Sequence, residues 1–210
     1  MKPAKYYQKE YHKTNTNLPR NTSTELLKKY LKSEALDVGC GQGVMVKELS
    51  EDIKVFGCDL YPEVIKLGDN FFIHDMEKNP TKKKFNSIYS LHVLEHVFDY
   101  ISFLKNIRDS LKDDGTLFIA VPNCYSLLSR TKFFLGNENI TMGVGEINCV
   151  ENNHLEPHIR FFGIKSLKTI LEKNGFEVKE YFGTTGGNKS VLGNLAGQLN
   201  FVCKKGPIDL

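Results

Sequence analysis

Leu36-Asp37-Val38-Gly39-Cys40-Gly41-Gln42-Gly43 is the stretch that decides how the rest of the chain is read. Residues 35–38 form a short apolar run, and Gly39, Gly41 and Gly43 follow at every second position. Glycine there permits a sharp turn and lets a ligand lie against bare backbone. A helix expected over residues 44–50 would aim its free N–H groups and positive end at that ligand. A dinucleotide fingerprint needs a third glycine, G-x-G-x-x-G. Counted from Gly39, that position is Val44, so the spacing is G-x-G-x-G with an acid, Asp37, in front.

Outward from the turn, strand-like and helix-like segments alternate. Residues 54–58 read as a second strand that ends in Asp59, where a carboxylate can accept both hydroxyls of a ribose. Residues 61–67 read as a short helix that Pro62 can start. Strands follow at 71–73, before His74-Asp75, and at 86–90. Residues 100–111 carry Ile101, Leu104, Ile107 and Leu111 on one helical face, with Gly115 just beyond. Residues 116–121 form a fifth strand that Pro122 stops. A helix at 166–174, a strand at 176–182 and a last strand at 198–204 close the pattern. Upstream, Thr22-x-x-Glu25 before Leu26 and Leu27 reads as a capping box. This alternation predicts an α/β fold: a mostly parallel sheet with helices on both faces.

Two stretches break the rhythm. Residues 1–20 are polar and form an arm or a lid. Residues 123–160 are rich in Gly and Asn, with Phe133-Phe134 as a small aromatic knot, and read as an irregular insertion. The 210 residues fit one domain spanning 1–210. With 40% hydrophobic and 25% charged residues the composition is that of a globular protein. The net charge of +3 is too small to argue for nucleic acid or a membrane surface. Lys82-Lys83-Lys84, the densest basic run, reads as a solvated loop. Five cysteines without a CxxC pair argue against a zinc site or a disulfide framework; Cys40 and Cys58 read as packing residues. With no signal-peptide core and no long apolar run, a soluble, cytoplasmic protein is expected.

Several segments together resemble the class I S-adenosylmethionine-dependent methyltransferases. Residues 36–43 resemble their first motif. Gly57-Cys58-Asp59-Leu60 resembles the ribose-binding acidic motif, and His74-Asp75-Met76 sits where the family recognises adenine. Residues 90–97, Ser90-Leu91-His92-Val93-Leu94-Glu95-His96-Val97, resemble the segment after the fourth strand. Leu111-Lys112-Asp113-Asp114-Gly115-Thr116-Leu117 resembles the turn before the fifth. His158-Ile159-Arg160-Phe161-Phe162, with Leu167 and Gly175-Phe176 behind it, resembles the late signature of the ubiquinone-biosynthesis type. The resemblance covers residues 35–182 and implies a Rossmann-like seven-stranded sheet of order 3-2-1-4-5-7-6, its last strand antiparallel, with 123–160 as a substrate cap. It implies S-adenosylmethionine as cofactor. Asp37, Gly39, Gly41 and Gly43 would then contact the methionine part and Asp59 the ribose. Leu60 and Leu91 would flank the ligand, and Asp75 with Met76 would read the adenine edge.

Methyl transfer from a sulfonium is an in-line displacement, and a base is needed only if the nucleophile must lose a proton. Histidine suits that role near neutral pH. His92, His96, His154 and His158 are the candidates, with His158 and His92 foremost. A helix starting near residue 92 would put His92, Glu95 and His96 on one face. Ubiquinone-type relatives read more like E-x-x-E-H there and can bind a divalent metal; His92 replaces the first acid here, so no metal ligand is assigned. Arg160 either binds an anionic group of the substrate or pairs with a surface acid. The expected acceptor is a small molecule methylated on a hydroxyl, a sugar or glycan precursor or a quinone-like metabolite. Competing readings are a nicotinamide-dependent oxidoreductase, which the missing glycine opposes, a non-catalytic binding module, and an RNA methyltransferase. The last lacks a continuous basic stripe.

Overall fold

The computed structural model describes residues 22–136 and 158–207. Eight strands form one sheet: β1 (Glu34–Val38), β2 (Lys54–Asp59), β3 (Phe71–Ile73), β4 (Phe85–Leu91), β5 (Leu111–Pro122), β6 (Phe176–Thr185), β7 (Asn188–Lys189) and β8 (Gln198–Lys205). Their order is β3-β2-β1-β4-β5-β8-β6-β7. The pairs from β3 through β5 are parallel. β8 runs antiparallel between β5 and β6. The order implied by the family resemblance is thus present, with β8 as the seventh strand. The additional strand, β7, is two residues long and pairs with Thr184 and Thr185. Gly186 and Gly187, at φ of 59° and 87°, make the tight connection. Two consecutive left-handed residues match the twist of a two-residue hairpin, which a Gly-Gly pair adopts without strain.

Strand residues alternate between two cores because successive side chains point to opposite faces. Leu36, Ile88, Leu117, Ile119 and Phe201 pack with Leu104 and Ile107 of α3 (Tyr100–Ser110) and with Leu167 and Leu171 of α5 (Ile164–Lys173). On the other face Ala35, Val55, Tyr89, Phe118 and Ala120 pack with Leu27 of α1 (Thr24–Lys28) and with Val46 and Leu49 of α2 (Val44–Leu49). Strands buried on both faces read as continuous apolar runs, which is why 35–38 and 117–121 stand out in the sequence.

Four local expectations are corrected. The cap of α1 is Ser23, whose side chain accepts from Leu26 N; Thr22 is buried and turned toward β8. Ile101 is 57% exposed, and Phe103 takes its place on the buried face of α3. α3 stops at Ser110, so Leu111 begins β5 instead of ending the helix. The 123–160 stretch is not irregular throughout, because α4 (Leu127–Phe134) lies in it, capped by the Ser126 side chain accepting from Ser129 N. Phe133 and Phe134, its aromatic pair, are exposed residues at its end. The arm at 1–20, His154 and most of the insertion lie outside the described residues. No helix among the described residues is long and apolar enough to cross a membrane.

Candidate active site

All parallel strands point their carboxyl ends to one edge of the sheet, and there the order reverses between β1 and β4. That is where an open α/β sheet holds its ligand. A cleft lies at this edge. The end of β2 contributes Asp59, Leu60 and Tyr61; the loop after β3 contributes Asp75, Met76 and Glu77; the segment after β4 contributes His92, Val93, His96 and Val97. Gly39 brings bare backbone to it.

The glycine turn is built as the spacing requires. Gly39, Gly41 and Gly43 have φ of 78°, 51° and 70°. Gly39 N and Cys40 N both donate to Cys58 O, at 2.8 and 3.1 Å, which ties the turn to the end of β2. A Cβ on Gly39 would run into Val93 Cγ2, and one on Gly43 would lie 2.5 Å from the Phe71 ring. Left-handed backbone costs an L-residue about 1–2 kcal/mol, and a clash with a stiff valine adds an overpacking term. Gly39→Ala is therefore expected to lose about 2–4 kcal/mol of unfolding free energy, read from urea midpoints. A midpoint equal to that of the parent would reject this geometry.

Asp59 is engaged on both oxygens by backbone. Oδ2 accepts from Gly41 N at 2.8 Å and Oδ1 from Tyr61 N at 3.1 Å. Burial pushes its carboxyl up, opposed by the Gly41 and Leu60 N–H groups. Each carboxylate oxygen keeps a second acceptor direction, enough for a pair of vicinal hydroxyls. Asp75 shapes its own loop: Oδ1 accepts from Glu77 N at 3.1 Å, and Oδ2 pairs with Lys78 at 2.5 Å. Met76 is buried beside it. Asp37 does not line the cleft. It is buried beneath the turn in register with Tyr89, where burial raises its carboxyl well above the usual range. Gly41 and Gly43 shape the turn without lining the cleft, and Leu91 is half-buried at the end of β4. Cys40 and Cys58 are buried thiols, raised by burial and by the nearby aspartates, as packing residues should be.

At the other end of the cleft, the helix expected to start near residue 92 is absent. His92 has φ of 57°, and only a single 3-10 turn, Leu94–His96, follows. The cluster forms nonetheless. His92 Nδ1 lies 3.3 Å from Glu95 Oε1, and His158 Nε2 lies 3.9 Å from the same oxygen. His158 arrives there because Glu95 O accepts from Ile159 N and Arg160 N, at 3.0 and 3.2 Å. Its ring packs edge-on against His96, with centroids 4.8 Å apart. His92 and His96 line the cleft; His158 packs behind them with 11% of its side chain exposed. Burial pulls His158 down to about 4, only partly opposed by Glu95. Burial also penalises His92, but Glu95 and Gln198 more than reverse it and raise the ring. Glu95 is fully buried; desolvation pushes it up, and His92 pulls it below its ordinary value. Glu95, His96 and His158 bring ligand-type atoms within 4.8 Å of one another. His92 faces the same carboxylate from its own side, and both Glu95 oxygens are without a hydrogen-bond partner among the described residues.

Among the described residues Arg160 lies outside the cleft lining, and its charge is felt by Asp99. It donates to Val97 O and, at 2.7 Å, to Phe98 O, and its guanidinium lies over the Tyr100 ring. Planar guanidinium suits this double duty, and the residue fastens the loop carrying His96. The partner that sequence reading missed is Gln198, whose Oε1 is 2.5 Å from His92 Nε2. It is 106 residues away in the chain, at the start of a strand whose first six residues are all buried.

The model of the methyltransferase domain family matches residues 7–181. The chain belongs to this methyltransferase family. It falls in the class I S-adenosylmethionine-dependent superfamily, and its cofactor is S-adenosylmethionine. An uncharacterized protein of Methanocaldococcus jannaschii is 29% identical over 97% of this chain and 88% of its own length. The mitochondrial ubiquinone biosynthesis O-methyltransferase of Bos taurus is 28% identical over 80% of this chain, which spans 48% of that relative. The structure of the 1,6-didemethyltoxoflavin-N1-methyltransferase of Burkholderia thailandensis superposes with a TM-score of 0.60 at 17% identity, covering 88% of this chain and 76% of that one. It shares the fold. The residues of the cleft fit the donor chemically: bare backbone at Gly39, a doubly accepting carboxylate at Asp59, and apolar Leu60 and Met76 beside an acid at Asp75.

Proposed function

We propose that this enzyme methylates an acidic hydroxyl of a small molecule, a phenol or catechol of the quinone-like kind. The observation that carries this reading is the buried Glu95 carboxylate with three imidazoles around it at the methyl end of the cleft. An amine attacks with its own lone pair, whereas a neutral hydroxyl must shed a proton. S-adenosylmethionine supplies an already activated methyl group, so the protein's work is alignment, exclusion of water and the handling of one proton. In this reading Asp59 holds the ribose, Leu60 and Met76 flank the adenine, Asp75 reads its edge, and Gly39 lies under the methionine part.

The proton-accepting unit is the His96–His158 pair. His158 is neutral across the physiological range, and the Glu95 carboxylate stabilises the imidazolium that forms on it. A phenol, with a pKa of about 10, gives up its proton far more readily than the less acidic alcohols of a sugar. The bovine relative is an O-methyltransferase of ubiquinone biosynthesis, which agrees with a phenolic acceptor.

The test is release of S-adenosylhomocysteine by the full chain with catechols, sugar alcohols and aryl amines, each with and without EDTA. Turnover is expected on catechols and is expected to survive the chelator. Turnover confined to amines would overturn the reading, and strict dependence on magnesium would reassign Glu95, His96 and His158.

A further inference from the structure

A buried polar chain runs from the antiparallel end of the sheet to His92, and the direction of every hydrogen bond in it can be fixed. Phe182 O is a carbonyl and only accepts. The atom 3.2 Å from it is Asn200 Nδ2, which also donates to Thr184 Oγ1 at 3.0 Å. The amide of Asn200 therefore turns its oxygen the other way, and Oδ1 accepts from Gln198 Nε2 at 2.6 Å. The same Gln198 nitrogen donates to Thr22 Oγ1, at 2.6 Å. Gln198 must then present Oε1 to His92 Nε2, at 2.5 Å. An amide oxygen cannot donate, so Nε2 of His92 carries a proton. Gln198, Asn200 and Thr184 are completely buried and Thr22 nearly so, which leaves no room for a solvent-exposed rearrangement.

The far side of the ring completes the inference. Nδ1 of His92 faces Glu95 Oε1 at 3.3 Å. The contact is an ion-pair distance and not a hydrogen bond, since both oxygens of the buried Glu95 are without a hydrogen-bond partner among the described residues. His92 thus offers a substrate neither nitrogen: Nε2 carries a proton for Gln198, and Nδ1 is turned to the Glu95 carboxylate. Its backbone is also held in a left-handed conformation, at φ of 57°, by His92 N donating to Ala120 O at 2.9 Å. Such a conformation is disfavoured for a residue with a side chain and persists only when its surroundings over-determine it.

We propose that Gln198, oriented by Asn200 and Thr22, is a positioning residue that keeps His92 as a proton-bearing clamp on Glu95 and leaves proton abstraction to His96 and His158. The proposal rests on the hydroxyl-methylation reading for its catalytic consequence, but its hydrogen-bond polarity stands apart from any acceptor. The groups facing His92 are Gln198 on one side and Glu95 on the other, with His96 and His158 around the same carboxylate. Thr22 also links this clamp to α1, since Ser23 N donates to Gly187 O beside the β6–β7 turn.

The test is nitrogen NMR of the full chain labelled at histidine, from pH 6 to 8, with S-adenosylmethionine turnover measured alongside. In the parent, His92 Nε2 is expected to be protonated throughout. In Gln198→Leu the ring is expected to return to tautomer exchange, with kcat lowered roughly tenfold to a hundredfold, as small misplacements do, and the Kd for S-adenosylmethionine within about twofold. Gln198→Glu keeps an acceptor toward His92 and is expected to retain Nε2–H, so it serves if the leucine variant does not fold. An unprotonated Nε2 in the parent, or a leucine variant with parental His92 signals, would overturn the proposal. A protonated Nε2 in a protein that turns over only amines would uphold the clamp and sink the hydroxyl reading instead.

Discussion

His158→Gln is expected to lower kcat about a hundredfold, the lower end of what a positioned base contributes, with the affinity for S-adenosylmethionine unchanged. Glutamine keeps a polar side chain near Glu95 but cannot take a proton. His158 lies outside the lining of the donor end of the cleft, so ground-state binding of the cofactor should not change. His96→Gln should cost a similar factor if the two rings act as one unit, and the double variant should then cost little more than either alone. Full activity in both single variants, measured at saturating S-adenosylmethionine, would remove the pair from the mechanism.

The same substitution carries a stability signature whose sign follows from the depressed ring. Burial holds folded His158 at about 4, below the ordinary 6.5. Between those values an unfolded chain takes up a proton that the folded chain does not, so stability falls as pH falls from 6.5 toward 4. The full penalty is at most ~3 kcal/mol for such a shift. His158→Gln removes it. Denaturation midpoints of the parent should therefore drop more steeply between pH 7 and 4.5 than those of the variant. Parallel curves would show that burial does not depress the ring.

Asp59→Ala is expected to raise the Kd for S-adenosylmethionine at least tenfold, measured by calorimetry. The variant removes charge-assisted hydrogen bonds worth ~1.5–3 kcal/mol to the ribose. It also strands Gly41 N and Tyr61 N, which now donate to the two carboxylate oxygens. The second effect loosens the glycine turn itself. Asp59→Asn separates the two: it can still accept from one of those N–H groups but carries no charge, so it should preserve more of the fold than of the affinity. Unchanged affinity in both variants would reject the ribose assignment.

The contrast between Asp59 and Asp37 shows what residue type alone could not resolve. Both acids lie near the carboxyl ends of neighbouring parallel strands, and both belong to motifs that resemble cofactor contacts. Asp37 pairs with Gly57, and Asp59 stands two residues further along β2, so the two side chains leave the sheet on the same face. Asp59 is the last residue of its strand and reaches the cleft, whereas Asp37 lies one residue short of the end of β1 and is buried beside Tyr89. At residues 92–96 the outcome was the reverse. The helix that was to gather His92, Glu95 and His96 does not form, yet the cluster does, because a left-handed residue and one 3-10 turn bring the side chains together by another route. His158 joins it through hydrogen bonds to Glu95 O, a contact across 64 residues.

The sequence by itself determined the order of strands and helices, the glycine turn, the acid that ends β2 and the family. Each of these is local: apolar periodicity, a left-handed glycine or an acid at the end of a strand is written in a few consecutive residues. Only the tertiary structure decided which atom of Gln198 faces His92. That depends on Gln198, Asn200 and Phe182, whose amide and carbonyl directions are set by antiparallel pairing of β8 with β5 and β6. Proton positions follow from hydrogen-bond partners distant in the chain, and no spacing in the sequence encodes them.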